Sequence, residues 1–537
     1  QAILAIGPSA LITILNLLSA RMALTSVGLL TVALCLQSAM PSTVQRHNVH
    51  TLPPGRASRA CWRNGRCLRT LPRGLRALGG ASSSVDEQGG GTVAGASFDW
   101  WGHWYPMSPL QDLPRDRPTR LTLLGVDFAI WWDSVHEQWR CFRDACPHRL
   151  APLSEGRLEG GNLQCAYHGW EFGGDGACER IPQLPTDAAL PLGKACAVAY
   201  PTQEVQGLLW IFPTPDASAA AAAAPPARIP ELDVAGHVDT TQAFVRDVPY
   251  SWDTLVENLV DPSHVPFAHH GIILKRAAAE PLPIRVRDLG VEGWTAVQEP
   301  PPKNGSWDLQ WSPPCMLYYK IQRPKVFVGI GSYCVPTAPG RARLITRFPF
   351  RFPSPAIAWL LRLQPRWLNH MGQNLVMDSD VVFLHLQERK LRASEDATRW
   401  RKSFYMPAEA DRGVAAFRTW LQRHGGGAPA WGPAAAREVS AKELPSEAPR
   451  RELLDRFAQH TAVCASCRRT FRRLDSAVPA LCSLAFLLLM AAAAGPHRWA
   501  PTLALVAGLS ALASAAVWRL RQGLLFREWP TRKWRRG

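Results

Sequence analysis

Cys146-Pro147-His148 and, sixteen residues further on, Cys165-Ala166-Tyr167-His168 are the stretches on which the reading of this chain turns. Each offers one thiolate and one imidazole, in the order CxH…CxxH. Two Cys and two His divided in this way suit a [2Fe–2S] centre in which thiolates hold one iron and neutral imidazoles the other. Imidazoles in place of thiolates raise the potential and make such a cluster an electron relay. A Cys2His2 zinc site is the competing reading, but zinc motifs usually pair Cys with Cys and His with His. Gly156, Gly160 and Gly161 lie between the two loops and Gly169, Gly173, Gly174 and Gly176 follow. Such glycines let two hairpin loops close around a cluster.

Working outward, residues 121–132 (LTLLGVDFAIWW) and 138–143 read as strands, and short strands continue to residues 208–212. A β-rich domain is therefore expected over residues 98–215. The Ala/Pro-rich stretch that follows predicts a linker over residues 216–230. Residues 231–460 mix helical and strand patterns and read as a second, larger domain. Near its start stands Glu257-Asn258-Leu259-Val260-Asp261-Pro262-Ser263-His264-Val265-Pro266-Phe267-Ala268-His269. Two His five apart, joined by one carboxylate, would form a facial triad that leaves open positions for O2 on non-haem Fe(II). The carboxylate must come from far along the chain. Residues 374–382 (NLVMDSDVV) are the best source, with Asp380 preferred to Asp378, and His270 competes with His269. Asp261, three residues before His264, reads as a partner of the ligand histidine that could also carry electrons from the cluster. The alternative for Asp261 is an N-cap ahead of Pro262.

The chain has 537 residues, 47% hydrophobic and 19% charged, which predicts two to four domains. Its 60 Lys+Arg against 43 Asp+Glu, a net +17, would ordinarily suggest nucleic acid or an anionic membrane. The excess is concentrated at the two ends. Residues 1–85 hold nine Arg and no acid, and residues 468–537 carry +10, so the middle is close to neutral. A nucleic-acid-binding core is excluded on that ground. The 13 Cys are too dispersed for a disulfide scaffold, and a reducing compartment fits them best. Most of the 22 Trp are expected in the core or at a membrane interface.

Residues 1–95, Arg-rich and acid-free through Val85, have the composition of an organelle transit peptide, with Met22 the expected start after the opening Gln1. A membrane anchor or secretory segment over residues 23–36 is the alternative. At the other end, residues 461–475 contain Cys464-Ala465-Ser466-Cys467, a CxxC pair. Residues 476–537 hold two charge-free runs, 478–494 and 501–518, each just long enough to span a bilayer. Arg468, Arg469, Arg472 and Arg473 precede the first, and Arg519, Arg521 and Arg527 follow the second. That bias puts both outer flanks on one side of a membrane. A helical hairpin buried in a soluble domain is the alternative.

The pattern NxxDxxHxxxxH, placed downstream of CPHRLAPLSEG and CAYHGW, resembles the Rieske non-haem iron oxygenases. More narrowly it resembles the pheophorbide a oxygenase group of chloroplasts with its Tic55-like and protochlorophyllide-associated relatives. Residues 98–106 (FDWWGHWYP), 146–156, 164–169, 253–270, 374–388 and 459–467 (QHTAVCASC) carry the likeness, as do the paired apolar segments, so that it spans residues 98–528. The Ala/Pro linker and the basic residues 532–536 depart from the group's pattern and touch no ligand position.

The resemblance implies an α+β protein with an N-terminal all-β Rieske [2Fe–2S] domain, a helix-grip (START-like) catalytic domain and a C-terminal two-helix membrane anchor. It implies Cys146, His148, Cys165 and His168 on the cluster, His264, His269 and Asp380 on a mononuclear Fe(II), and Asp261 between the two. Implied partners are ferredoxin as electron donor, O2, a chlorin or other tetrapyrrole, and neighbouring copies in a homotrimer where one subunit's cluster serves the next subunit's iron. Cys464 and Cys467 would be a redox-regulatory pair whose disulfide thioredoxin reduces to the dithiol. The implied location is a chloroplast membrane, thylakoid or inner envelope, with the catalytic domains on the stromal side. The favoured reaction is oxygenolytic opening of pheophorbide a at a methine bridge. The alternatives are a Tic55-like redox-regulated membrane component and an oxygenase of another tetrapyrrole such as a phyllobilin or protochlorophyllide.

Overall fold

A computed structural model describes residues 97–185, 193–301, 305–393, 400–440, 447–495 and 497–527. The Arg-rich leader and the basic residues 532–536 lie outside the described residues. The period-2 runs of the first domain form β1 (Tyr105–Pro109), β2 (Thr119–Leu123), β3 (Val126–Asp133), β4 (Gln138–Arg143), β5 (Arg157–Glu159), β6 (Asn162–Gln164), β7 (Glu171–Phe172), β8 (Cys178–Arg180), β9 (Ala199–Tyr200), β10 (Thr202–Val205) and β11 (Leu208–Ile211). They pair antiparallel into three small sheets, β1-β11-β10, β2-β3-β4-β9 and β5-β6-β7-β8. The third sheet carries the second Cys/His loop at its β6–β7 turn, and the first loop connects β4 to β5.

The Ala/Pro stretch folds. Asp216 accepts from the N–H groups of Ser218 and Ala219 and caps α1 (Ala217–Ala222), and Ile229 just beyond is fully buried. Alanine is the residue that loses least on entering a helix, so a cap and a few contacts suffice to order it. The domains are further joined across β2–β3, where the Leu124 and Gly125 N–H groups donate to Pro336 O (2.8 Å) and Thr337 O (2.7 Å).

The second domain is built on a nine-stranded antiparallel sheet of β12 (Val238–Asp239), β13 (Phe244–Val248), β14 (Ile284–Gly290), β15 (Gly293–Gln298), β16 (Ser306–Ser312), β17 (Met316–Gln322), β18 (Phe327–Ala338), β19 (Arg341–Arg347) and β20 (Pro349–Arg351). Against it pack α2 (Trp252–Leu259), α3 (Arg366–Ala393) and α4 (Arg412–Arg423). Trp252, Trp311 and Trp420 are fully buried here, and Trp100 from the first domain sets its ring 5.1 Å from that of Trp252. These tryptophans are core, as their apolar area favours.

The buried face of α3 is unusually polar. Arg366, His370, Asn374 and Asp378 recur every fourth residue and are all buried. Asp378 sits between Arg246 (2.7 Å) and Arg456 (2.6 Å), with none of the three appreciably exposed. Arg246 also donates to Asn374 O (3.0 Å) and to Gln459 Oε1 (2.8 Å), and Arg456 donates to Gly523 O (2.6 Å).

The chain ends in two long apolar helices, α5 (Ala465–Ala494) and α6 (Ala500–Leu525). Cys464 is the N-cap of α5, so the CxxC segment and the first apolar run form one continuous helix rather than two successive units. Small buried residues (Ala485, Ala507, Ser510 and Ser514) lie between the helices and let their backbones approach, while Phe486, Leu487, Leu505 and Leu509 point outward.

Replacing Asp378 by Asn leaves two buried guanidinium groups without a counter-charge. The expected loss is about 3 kcal/mol or more of stability. It would be read as a lower midpoint of thermal unfolding; an unchanged midpoint would show that the triplet does not hold the fold.

Candidate active site

The two Cys/His loops are built alike. The Cys146 N–H donates to Ala151 O (2.8 Å) and the Leu150 N–H to Cys146 O (2.8 Å). In the second loop the Cys165 N–H donates to Trp170 O (2.8 Å) and the Gly169 N–H to Cys165 O (3.0 Å). Each turn closes through a residue in the left-handed region, Leu150 (φ 63°) and Gly169 (φ 73°). Glycine is thus required at the second loop only, and the first tolerates the strain of a leucine. Gly156 serves a different need: a Cβ there would stand 2.3 Å from Gln164 O.

Cys146 and Cys165 are both buried with their thiols adjacent, while His148 and His168 stand together outside them with ring centroids 4.6 Å apart. The His148 ring stacks on Trp170 at 4.6 Å and 6°. Burial pushes the Cys146 thiol up to about 12. The His148 imidazole is held below its usual range by desolvation and by His168 beside it. A pair of sulfurs inside and a pair of imidazoles outside is the donor arrangement a two-iron cluster with mixed ligands needs.

In the second domain α2 ends at Leu259 and Asp261 caps the turn that follows. Its Oδ1 accepts from the Ser263 N–H (2.8 Å) and from Ser263 Oγ (2.5 Å). The Asp261 backbone carbonyl accepts from His264 Nδ1, and the second carboxylate oxygen lies 3.8 Å from the same nitrogen. His269 Nδ1 donates to Ser379 Oγ (2.7 Å), whose hydroxyl donates to Val376 O (2.5 Å). Both imidazoles are therefore placed in the tautomer with the proton on Nδ1, as their partners require. The two Nε2 atoms face each other at 3.2 Å, and Asp380 Oδ2 stands 3.4 Å from that of His269. Asp380 Oδ1 is buried with no hydrogen-bond partner. Burial, then His264 alongside, pushes His269 down to about 3, and burial raises the Asp380 carboxyl well above the usual range. Three unshared acceptors converging in a buried place fit a single divalent cation, which would bring the Asp380 carboxyl back down and hold the His269 imidazole neutral.

The competing residues are otherwise engaged. His270 Nδ1 accepts from the Arg276 N–H (3.1 Å), away from the cluster. Asp378 is held by its two arginines, and at 100° per residue along α3 it points nearly opposite to Asp380.

Cys464 and Cys467 are buried, and two residues absent from the sequence reading join them. His370 and His460 bring their ring nitrogens to the thiols, all four donor atoms lying within 4.8 Å of one another. The Cys464 thiol is pushed down, chiefly by the Cys467 thiol bonding to it and then by the two imidazoles. His460-x3-Cys464-x2-Cys467 was the available signal, but His370 is 94 residues from Cys464. Ser379 was missed too, for no pattern marks a hydroxyl beside an acidic residue as a histidine's partner.

Residues 103–200 match the Rieske [2Fe–2S] domain family and residues 311–397 the pheophorbide a oxygenase family. The chain is 37% identical over 465 residues to pheophorbide a oxygenase of Arabidopsis thaliana, covering 82% of this chain and 85% of that protein. It is 37% identical over 433 residues to flavonoid 8-hydroxylase 2 of Ocimum basilicum, covering 74% and 79%. Among solved structures, dicamba monooxygenase bound to dicamba superposes on 61% of this chain and 98% of that chain, at 21% identity and a TM-score of 0.49.

Two substitutions test the site apart from any activity. Ser379→Ala frees the His269 ring and should weaken Fe(II) binding at the His264–His269–Asp380 cluster about 10–100-fold, measured by titration of metal-depleted protein. His148→Ala should abolish the cluster's electron paramagnetic resonance signal and leave that affinity unchanged. Equal Fe(II) affinity in Ser379→Ala would mean that the hydroxyl does not position the ring.

Proposed function

The chain belongs to the pheophorbide a oxygenase family of Rieske non-haem iron oxygenases, and on that footing we propose that it opens the macrocycle of pheophorbide a at a methine bridge. The observation that carries the reading is the pairing, in one chain, of a mixed Cys/His relay site with a buried two-imidazole, one-carboxylate cluster. As a Rieske oxygenase the protein uses a [2Fe–2S] cluster to supply electrons and a mononuclear iron to activate O2.

Cys146 and Cys165 would hold one iron of the cluster and His148 and His168 the other. His264 Nε2, His269 Nε2 and Asp380 would hold the mononuclear iron, with the Asp261 carbonyl and Ser379 Oγ keeping both imidazoles turned inward. The Asp261 side chain is 25% exposed and touches the His264 ring side, so it offers a route for electrons from outside the site. Leu150, two residues beyond His148, and Tyr167, its ring 3.9 Å from that of His168, are 68% and 62% exposed and supply an apolar surface around the cluster edge. That surface fits docking against a neighbouring copy in a homotrimer, with ferredoxin as the donor.

The outward leucines of α5 and α6, with arginines at both outer flanks, support a membrane hairpin whose ends share one side. We place that side in the chloroplast stroma because the relatives are chloroplast proteins. An apolar chlorin that partitions into the bilayer would meet the site there. Flavonoid hydroxylation is the second reading, favoured by an equal identity to the basil enzyme.

The test is turnover by the detergent-solubilised chain with reduced ferredoxin and O2, offered pheophorbide a, protochlorophyllide or a flavone in parallel. A ring-opened product from pheophorbide a, identified by mass, is expected. Hydroxylated flavone with pheophorbide a untouched would overturn the substrate assignment. Asp380→Ala should abolish turnover together with the mononuclear iron, and Asp261→Ala should slow turnover about 10–100-fold with both metal contents intact.

A further inference from the structure

We propose that His370, His460, Cys464 and Cys467 form a closed structural zinc site that fastens the first apolar helix to the catalytic domain. All four side chains are buried, at 0%, 0%, 1% and 0% exposure. His460 Nε2 lies 3.2 Å from Cys467 Sγ, and His370 Nδ1 lies 3.5 Å from Cys464 Sγ and 3.8 Å from Cys467 Sγ. A tetrahedral zinc with Zn–S of about 2.3 Å and Zn–N of about 2.0–2.1 Å sets its sulfur and nitrogen ligands about 3.6 Å apart. The observed separations bracket that value.

The orientation of both rings is imposed from outside the cluster. His370 Nε2 donates to Thr241 O at 2.9 Å, and His460 Nδ1 donates to Val245 O. Each ring is left with an unprotonated nitrogen facing the sulfurs, which is how histidine ligands are prepared by their outer partners. His460 reaches this position from a π-helical turn, Phe457–Thr461, a local irregularity that commonly serves a functional placement. Cys464 caps α5, where the helix's first N–H groups favour a thiolate. The nearby carboxylate is already committed, Asp112 pairing with Arg366 (2.7 Å) and accepting from the Ala465 N–H (2.8 Å).

With two thiolates and two imidazoles around it and no exposed side, the ion would have no position left for substrate, so its role is structural. Binding takes up Zn2+ and releases two thiol protons to solvent, with no change of oxidation state. The site joins the start of α3, the π-helical turn and the start of α5, with both rings held by carbonyls in or just before β13. His370 lies ten residues before Asp380, about 15 Å along the same helix, so the zinc and the iron cluster are separate. In this arrangement the CxxC pair is a ligand set. The thioredoxin-regulated pair expected from the CxxC spacing and the resemblance would need the start of α5 to open before its disulfide could form or be reduced.

Metal analysis of the full-length chain, purified in detergent without chelator, tests this directly. Wild type should carry one zinc per chain in addition to its iron, and Cys464→Ser and His370→Ala should each lose it to background while the Rieske resonance signal persists. Should those variants fold poorly, wild type loaded with Co2+ in place of zinc should show thiolate-to-cobalt charge transfer and the visible bands of a tetrahedral site. Wild type without zinc, iron on these thiols, or zinc retained after Cys464→Ser would each overturn the assignment. These readouts do not depend on substrate, so failure here leaves the proposed oxygenase reaction standing, and the reverse.

Discussion

Asp378 is a carboxylate with no access to water, paired to two guanidinium groups that have none either. Charges so placed are tolerated only while every member of the set is present and in register. The consequence is rotational. Turning α3 by one residue would strand both Arg246 and Arg456, so the helix has a single admissible orientation against β13 and the π-helical turn. That orientation sends Asp380 toward His264 and His269, and His370 toward the CxxC pair. One ion triplet thus sets the aim of both donor clusters, although it belongs to neither.

A second device recurs through the molecule. Four histidines are each held by an oxygen acceptor on one ring nitrogen: His264 by the Asp261 carbonyl, His269 by Ser379 Oγ, His370 by Thr241 O and His460 by Val245 O. A neutral imidazole bonded in this way has its remaining lone pair in a predetermined direction. Three of the four acceptors are backbone carbonyls, so the positioning is a property of the fold rather than of a replaceable side chain. The Rieske loops reach a comparable end by symmetry, with matched turns presenting Cys146 with Cys165 and His148 with His168.

Much of the architecture was legible in the chain. The strand pattern of the first domain and the two apolar runs appear where local pattern and composition put them. The Ala/Pro stretch differs, because composition marks a boundary but says nothing of the Asp216 cap and the buried Ile229 that order it. The CxxC segment also differs. Read as a unit before the anchor, it is the first turn of the anchor helix, since nothing in the arginine-rich residues after it breaks a helix. The net charge was informative once divided, for it describes the ends of the chain and leaves the metal-bearing middle near neutral.

What the sequence by itself determined was the set of local donor pairs: CxH with CxxH, HxxxxH, and CxxC. Their members lie within a turn or two of each other, so short-range spacing is enough to recognise them. The tertiary structure alone decided which distant residue completes each pair. Asp380 is the candidate preferred in sequence and Asp378 its competitor, and the rotation of α3 separates them: it turns Asp380 toward the two imidazoles and Asp378 toward its two arginines. His370 lies on a buried stripe of polar residues that no hydrophobic period marks, and it meets Cys464 only because β13, α3 and the start of α5 pack together. Donor chemistry is a local property of the chain, whereas convergence on one point is a property of packing.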